Sequence, residues 1–159
     1  MGDTHRRRAV IGATGAVAIT LLAGCSSGGG DGADDDPAAD REYLDAEPDY
    51  DGWFDGVNNY TETVDWTDRE EVTVTVGYEQ YGYDPAAIAV SPGTTVVWEW
   101  NGRGGGHDVV SRDERGPLES DLVNTEGHTY SHTFEESGTY PYRCTPHETL
   151  GMRGAVYVE

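Results

Sequence analysis

Short runs that alternate apolar with polar residues, each closed by turn residues, occupy the chain from about residue 70 to its end. The run EVTVTVGY at 71–78 has valine at alternate positions, and TTVVWEW at 94–100 places Val96, Trp98 and Trp100 on one face. Because successive side chains of a strand point to opposite faces, this period of two predicts strands that bury one side. Neither a long amphipathic helix nor an internal repeat accompanies the alternation in the sequence.

Five further segments have the same character and are predicted to be strands: AAIAV at 86–90, HDVVS at 107–111, HTYSHTF at 128–134, GTYPYRC at 138–144 and GAVYVE at 154–159. Proline, glycine and asparagine mark the turns between them, at Asp84-Pro85, Ser91-Pro92-Gly93, Asn101-Gly102 and Ser137-Gly138. Six or seven short strands at this spacing predict an all-β chain folded as an antiparallel sandwich.

The N-terminus has the features of an export signal. Arg6, Arg7 and Arg8 precede an apolar run at 9–24, AVIGATGAVAITLLAG. A charged region followed by a modest apolar region predicts a signal peptide over residues 1–24, and the paired arginines resemble the twin-arginine type. The apolar run has 16 residues and contains glycine and threonine, whereas a membrane-spanning helix needs roughly 20 apolar residues.

Cys25 ends the motif LAGC at 22–25, which resembles a lipobox. Cleavage before this cysteine would make it the lipidated first residue of an exported chain, anchored to the outer face of the cell membrane. Two alternatives are a plain signal peptide with a chance cysteine, and a disulfide between Cys25 and Cys144. The disulfide would tie the membrane anchor to the folded domain, so lipid attachment is the preferred interpretation.

An acidic segment rich in glycine and serine follows, SSGGGDGADDDPAAD at 26–40. Its composition predicts a flexible acidic linker over residues 25–48, followed by a domain over residues 49–159. At the start of that domain, Trp53 and Phe54 lie in a stretch that is interrupted by glycine and proline. We expect one or two short helical turns there, covering an edge of the sandwich.

The charge of the chain restricts its partners. The 159 residues include 30 acidic and 10 basic side chains, all ten of them arginine, which gives a net charge of -20. A surface this acidic repels nucleic acid, so we expect no nucleic-acid partner. The composition resembles that of secreted proteins of haloarchaea, which work at molar salt, where the Debye length of roughly 3 Å screens self-repulsion.

Three potential metal ligands fall within the segment YRCTPHETLGM at 142–152: the thiol of Cys144, the imidazole of His147 and the thioether of Met152. A second imidazole, His107, follows the glycine-rich turn NGRGGG. Two histidines and one cysteine in a plane, with a weak axial methionine, are typical of blue copper electron-transfer sites. Structural zinc sites need four cysteine or histidine ligands, and iron–sulfur clusters need several cysteines, so both are disfavoured.

The pattern C-x2-H-x4-M, together with the upstream H-D-V-V that begins at His107, resembles the plastocyanin/azurin family of cupredoxins. The segments YDGWFDGVNNY, GTTVVWEW, GHTYSHTF and TPHETLGMRGAVYVE are similar to halocyanins, the small blue copper proteins of haloarchaea. The resemblance covers roughly residues 50–159. It implies an eight-stranded Greek-key sandwich and one type 1 copper, with His107, Cys144 and His147 as equatorial ligands and Met152 as the axial ligand.

The resemblance also implies roles for residues around the copper. Asp108 stands where many plastocyanins have asparagine, a side chain that ties the two ligand loops together, and Thr145 is its expected partner. His147 is expected to expose its ring edge as the entry point for electrons. Pro146, Leu150 and 104–106 would form an apolar rim for transient docking.

These features predict a membrane-tethered carrier of single electrons between a redox protein donor and a redox protein acceptor of respiration, and not an enzyme. The alternative is a copper storage or delivery protein, although Met-rich runs and CxxC motifs, which are usual in such proteins, are absent from the sequence. A copper enzyme would need a second centre with further histidines. Only His128, expected at an exposed strand entrance, and His132, expected to be partly buried, remain in the mature chain.

Overall fold

The structure, a computed structural model, describes residues 41–159, which form an all-β domain. The predicted signal peptide (1–24), Cys25 and most of the predicted linker lie outside the described residues. The strands are β1 Val64–Asp65, β2 Glu71–Tyr78, β3 Gly82–Asp84, β4 Ala87–Val90, β5 Thr94–Trp100, β6 Val110–Ser111, β7 Thr129–Phe134, β8 Gly138–Arg143 and β9 Arg153–Val158. One 3-10 turn, Glu148–Leu150, interrupts the connection between β8 and β9.

The strands form two sheets, one with the order β1-β4-β9-β8-β6 and one with the order β3-β2-β5-β7. This arrangement confirms the predicted all-β sandwich, but the expected antiparallel pairing is wrong in part. β2 pairs with β5 in parallel, as do β4 with β9 and β1 with β4. The chain changes sheet at every connection except those from β2 to β3 and from β8 to β9, so strands that are not consecutive become neighbours. A period of two reveals the buried face of a strand and carries no information about its direction.

The core lies between the sheets, and the alternating residues fill it as predicted. Val74, Val76, Val96, Trp98 and Trp100 are all buried. The residues between them in β2 and β5 face outward to varying degrees. Because parallel strands β2 and β5 run side by side, Tyr78 and Trp100 end at the same pole of the sandwich.

Residues 50–57 do not form a helix, and they cover the outer face of β4 and β9 rather than the expected edge of the sandwich. Three successive hydrogen-bonded turns replace the expected helical turns, because glycines at 52 and 56 have positive φ angles that stop helix propagation. The expected packing is confirmed: Trp53 and Phe54 are buried in a second apolar cluster. The other members of that cluster are Tyr50, Val57, Ala86, Ala87 and Ala155.

The described chain contacts the domain from its first residue. Arg41 forms a two-pronged ion pair with Asp84, at 2.6 and 2.9 Å. The backbone N–H of Asp65 donates to the carbonyl of Glu42, and that of Leu44 donates to the carbonyl of Thr63. Part of the stretch that the sequence assigned to the linker therefore lies against β1. Within residues 41–159, no helix is long and apolar enough to cross a membrane.

Candidate metal centre

The connection between β8 and β9 carries three of the four expected ligands. Cys144 directly follows β8 and Met152 directly precedes β9. The loop is closed by its own backbone: the N–H of Cys144 donates to the carbonyl of Met152 at 3.1 Å, and the N–H groups of Met152 and Leu150 both donate to the carbonyl of His147. Two strands and these hydrogen bonds therefore fix the positions of the three side chains.

His107 reaches the same pole from the segment that leads into β6, the strand paired with β8. Its N–H and carbonyl pair with Val123 at 2.8 and 3.0 Å, and the indole N–H of Trp100 donates to its carbonyl at 3.1 Å. The strand predicted at 107–111 is reduced to Val110–Ser111, and His107 lies in an isolated bridge before it. The glycine-rich turn lets the backbone before His107 pass close to the backbone of Gln80. At Gly104, any side chain would collide with the carbonyl of Gln80.

Three ligand atoms converge at this pole. The Nδ1 atoms of His107 and His147 lie 3.1 Å apart, and the Sγ atom of Cys144 lies 3.6 Å from the first and 3.4 Å from the second. A point equidistant from the three atoms lies about 2.0 Å from each, within the range of metal–nitrogen bonds and slightly short of the roughly 2.3 Å of a metal–thiolate bond. The three side chains therefore fit one metal ion.

The protonation of His107 also suits metal binding. Its Nε2 lies 2.7 Å from the carbonyl of Arg103, so Nε2 carries the proton and donates it. The lone pair is then left on Nδ1, which faces Cys144 and His147. Burial lowers the pKa of His107, and this effect is opposed by the hydrogen bond to Arg103. A neutral ring with a free Nδ1 is the form that binds metal.

Cys144 supplies a buried thiol. It is a free cysteine with no exposed surface. Burial raises its pKa to about 11, against the effect of backbone hydrogen bonds at Asp108 and His147, which lower it. The thiolate is the species that binds metal, so metal binding must displace the thiol proton.

Met152 is fully buried and belongs to the same apolar cluster as Cys144. It is the only methionine in the domain, since the other one in the chain is Met1. A thioether is a soft, weak ligand that suits copper better than zinc or magnesium. The donor set of the pole is therefore two imidazoles, one thiol and one thioether.

Asp108 links the two ligand-bearing segments. Its Oδ1 accepts a hydrogen bond of 2.6 Å from the backbone N–H of Thr145, which follows Cys144. Its carbonyl accepts a second bond of 2.6 Å from the hydroxyl of the buried Tyr83. The His107 segment is thereby attached to the Cys144 loop and to the core at the same point.

His147 is half-buried, and the pole on which it lies includes two further residues that the sequence did not point to. The ring of Tyr81 lies 4.8 Å from the ring of His147, at an angle of 52°. The side chain of Leu122 is 60% exposed and lies over Gly106. Leu150, which was predicted from the loop sequence, is 55% exposed. Nothing in the sequence near Tyr81 indicates contact with a histidine 66 positions away.

The other histidines of the domain lie elsewhere. His128 packs its edge on Trp100 with ring centroids 5.0 Å apart, and the half-buried His132 packs on Phe134 at 4.8 Å. Among residues 41–159, a single group of three histidine, cysteine or acidic side chains converges closely enough to hold a metal ion: His107, Cys144 and His147.

Sequence comparison with known proteins gives one consistent result. The family model for copper-binding proteins of the plastocyanin/azurin family matches residues 70–159. Halocyanin of Natronomonas pharaonis is 42% identical over 176 aligned positions, covering 100% of both chains, and plastocyanin of Scenedesmus fuscus is 31% identical, covering 56% of this chain and 100% of that protein. Oxidized plastocyanin from Dryopteris crassirhizoma superposes with a TM-score of 0.46 and 26% identity, over 55% of this chain and 100% of that one. The matched region contains His107, Cys144, His147 and Met152.

Proposed function

Because the chain belongs to the plastocyanin/azurin family of copper-binding proteins, we propose that it carries single electrons between respiratory redox proteins while tethered to a membrane. It is an electron-transfer protein of the cupredoxin kind that holds one type 1 copper. Copper supplies the chemistry, since it exchanges one electron between its two common oxidation states. The domain supplies the ligands, their spacing and a dry environment.

The observation that carries the proposal is the convergence of three donor atoms from two distant segments. The closest pair, the Nδ1 atoms of His107 and His147, lies 3.1 Å apart although 40 positions separate the residues. In the proposed site, His107, Cys144 and His147 would be the main ligands of the copper, and Met152 would add a weaker thioether ligand. Strands and backbone hydrogen bonds hold these side chains, so they need to move little when the charge of the metal changes.

Electron exchange is proposed to pass through the half-buried ring of His147. Tyr81, Leu150 and Leu122 are each at least 41% exposed and surround this end of the domain with apolar surface. A small apolar surface favours brief docking, because interfaces of low area dissociate quickly. The donor and the acceptor are therefore expected to use the same pole in turn.

We propose further that residues 1–24 are removed on export and that Cys25 carries the lipid anchor. The acidic linker predicted at 25–48 is then shorter than predicted, because the chain already contacts the domain at Arg41. This interpretation comes from the sequence motifs LAGC and SSGGGDGADDDPAAD. Replacing Cys25 by serine should move the protein from the membrane fraction to the soluble exported fraction. Retention of the Cys25→Ser variant in the membrane would contradict the anchor.

The proposed site is tested by adding Cu(II) to the purified, metal-free protein. We expect one equivalent to produce an intense blue colour and an unusually narrow copper hyperfine splitting, both caused by the copper–thiolate bond. The variant Cys144→Ser should lose both signals, while Ser131→Ala, a substitution at an exposed position in the middle of β7, should keep them. A colourless, tetragonal Cu(II) spectrum in the parent protein would contradict the electron carrier and favour copper storage or delivery.

A further inference from the structure

Residues 50–57, upstream of the part of the chain that matches the family model, contact the ligand loop on both sides of Met152. On the N-terminal side lies Gly151, which has a φ angle of 91°. A Cβ atom placed on Gly151 would approach the carbonyl oxygen of Gly56 to 2.8 Å. The turn at 52–56 therefore packs directly against the backbone of Gly151, the residue that precedes Met152.

On the C-terminal side of Met152, the guanidinium of Arg153 joins the same two segments. Its Nη1 donates to the carbonyls of Trp53 at 3.0 Å and Asp55 at 3.2 Å, and its Nε lies 3.4 Å from the carbonyl of Glu148 in the ligand loop. A guanidinium has five N–H groups in one rigid plane, so a single side chain can hold three carbonyls in fixed relative positions.

Trp53 completes the contact in the opposite direction. Its indole N–H donates to the carbonyl of Gly154 at 2.9 Å, and its ring lies beneath the guanidinium of Arg153 at 5.5 Å. Residues 50–57 thus donate a hydrogen bond to the start of β9 through Trp53, and they accept hydrogen bonds from Arg153 at the start of the same strand. Trp53 is only 7% exposed, and its hydrogen bond to Gly154 is buried.

We propose that Arg153 is a positioning residue for Met152, and that residues 50–57 and Arg153 together form a brace which sets the contact between the thioether and the copper. This inference rests on the proposed copper site. A thioether would bind copper only weakly, so the protein must fix the position of the Met152 sulfur, whereas the imidazoles and the thiolate would bind strongly. The brace contacts the residues directly before and after Met152, which are Gly151 and Arg153, and Met152 is the ligand that needs such support.

The chain offers a matched control for Arg153. Arg112 also places its guanidinium over Trp53, at 4.9 Å, but it is exposed and its side chain reaches the ring from outside the ligand loop. Arg153→Gln and Arg112→Gln each remove one positive charge and one cation–ring contact from the same indole. Only Arg153→Gln also removes the hydrogen bonds that connect the two segments.

The experiment compares the full-length parent and both variants in two states. In the copper-loaded state, Arg153→Gln should change the rhombic splitting of the Cu(II) electron paramagnetic resonance spectrum and the intensity ratio of the two thiolate-to-copper absorption bands, and Arg112→Gln should leave both unchanged. In the metal-free state, the amide hydrogen of Met152 should exchange about tenfold faster, relative to amides of β2, in Arg153→Gln and less than about twofold faster in Arg112→Gln.

Parental spectra and parental exchange in Arg153→Gln, or equal changes in both variants, would overturn the brace. If Arg153→Gln does not fold, Arg153→Lys decides instead: it keeps the charge but lacks the planar fork, so changes in the same direction are expected, and parental behaviour would overturn the proposal. A parent protein without a blue copper spectrum would overturn the proposed function. The brace would then still be judged by hydrogen exchange in the metal-free protein.

Discussion

Asp108 places a carboxylate between the two segments that carry the metal ligands. Its Oδ1 accepts the 2.6 Å hydrogen bond from Thr145, and the residue is only 7% exposed. A negative charge in this position stabilises Cu(II) relative to Cu(I), because the oxidised ion carries the larger positive charge. An asparagine can accept the same hydrogen bond without the charge.

Asp108→Asn is therefore expected to raise the reduction potential of the bound copper. We expect a rise of tens of millivolts, on the order of 1 kcal/mol, for the loss of one partly screened charge. Redox titration of both proteins measures it. Asp68→Asn is the control, since that carboxylate is 89% exposed and lies before β2, at the end of the strand away from the site. An unchanged or lower potential in Asp108→Asn would count against the electrostatic role.

At the residue scale, the sequence reveals ligands that are close along the chain better than contacts across the fold. Cys144, His147 and Met152 share one loop, so their spacing identifies the donor set directly. His107 could be selected because the chemistry requires a second imidazole after a tight turn. Tyr81 and Arg153 could not be recognised, because an exposed tyrosine or a half-buried arginine has many ordinary uses and only the folded chain shows what each contacts.

At the scale of elements, the turn that precedes His107 depends on contact with the turn between β2 and β3. Gly104 and its neighbour Gly105 both have positive φ angles, of 81° and 92°. A side chain at Gly104 would meet the carbonyl of Gln80, whereas a side chain at Gly105 would meet nothing within 4 Å. Substitutions at the two glycines therefore separate two losses of stability: one from backbone strain, which both share, and one from displacing the His107 segment, which only Gly104 would cause.

Gly105→Ala should lower the free energy of unfolding by about 1–2 kcal/mol, the cost of a left-handed backbone for a residue with a Cβ atom. Gly104→Ala should cost about 1–3 kcal/mol more through overpacking, and should also weaken copper binding, because it pushes His107 away from Cys144. Chemical denaturation and competition with a copper chelator measure the two effects. Equal losses in both variants would show that the turn contact does not position His107.

β7 contains a histidine that affects stability in acid. Burial lowers the pKa of the half-buried His132 below its usual value of 6.5. The unfolded chain therefore takes up the proton first as the pH falls, and stability is lost between pH 6.5 and the lower pKa of the folded state. The free energy of unfolding of the metal-free protein should fall less steeply between pH 7 and about pH 5 in His132→Gln.

The comparison isolates His132 because His107, whose pKa is also lowered by burial, is present in both proteins. Measuring the metal-free form removes any contribution from copper release. Identical pH dependence in parent and His132→Gln would contradict the assignment.

β7 also illustrates what the sequence conveys about elements: the inward face of Tyr130, His132 and Phe134 could be predicted from alternation, while the neighbours of the strand required the fold.

At the scale of the whole molecule, the net charge of -20 acts on folding as well as on partners. At about 0.1 M salt the Debye length is about 10 Å, so the carboxylates repel one another, and at about 1 M it is about 3 Å. The midpoint of thermal unfolding should therefore rise from low to molar potassium chloride. Molar sucrose serves as the control, since it is excluded from protein surfaces but does not screen charge. The rise of the midpoint in potassium chloride beyond the rise in sucrose is the part that screening causes. Equal stability at low and molar salt would contradict this effect of charge repulsion.

The extent of the folded unit was less predictable than its class. Alternation and turn residues are local signals, and they indicated the sandwich correctly. The contacts of Arg41 with Asp84 and of Trp53 with Gly154 join residues 43 and 101 positions apart. Such contacts have no local signature, so the role of the segment before β2 became visible only in the folded chain.

The proposed electron transfer requires one copper ion between side chains from two distant segments. Crystals of the copper-loaded protein, measured at the copper absorption edge, locate that ion directly by anomalous scattering. We predict a single strong peak within bonding distance of Nδ1 of His107, Nδ1 of His147 and Sγ of Cys144. A peak elsewhere on the molecule, or none among these three atoms, would contradict the account.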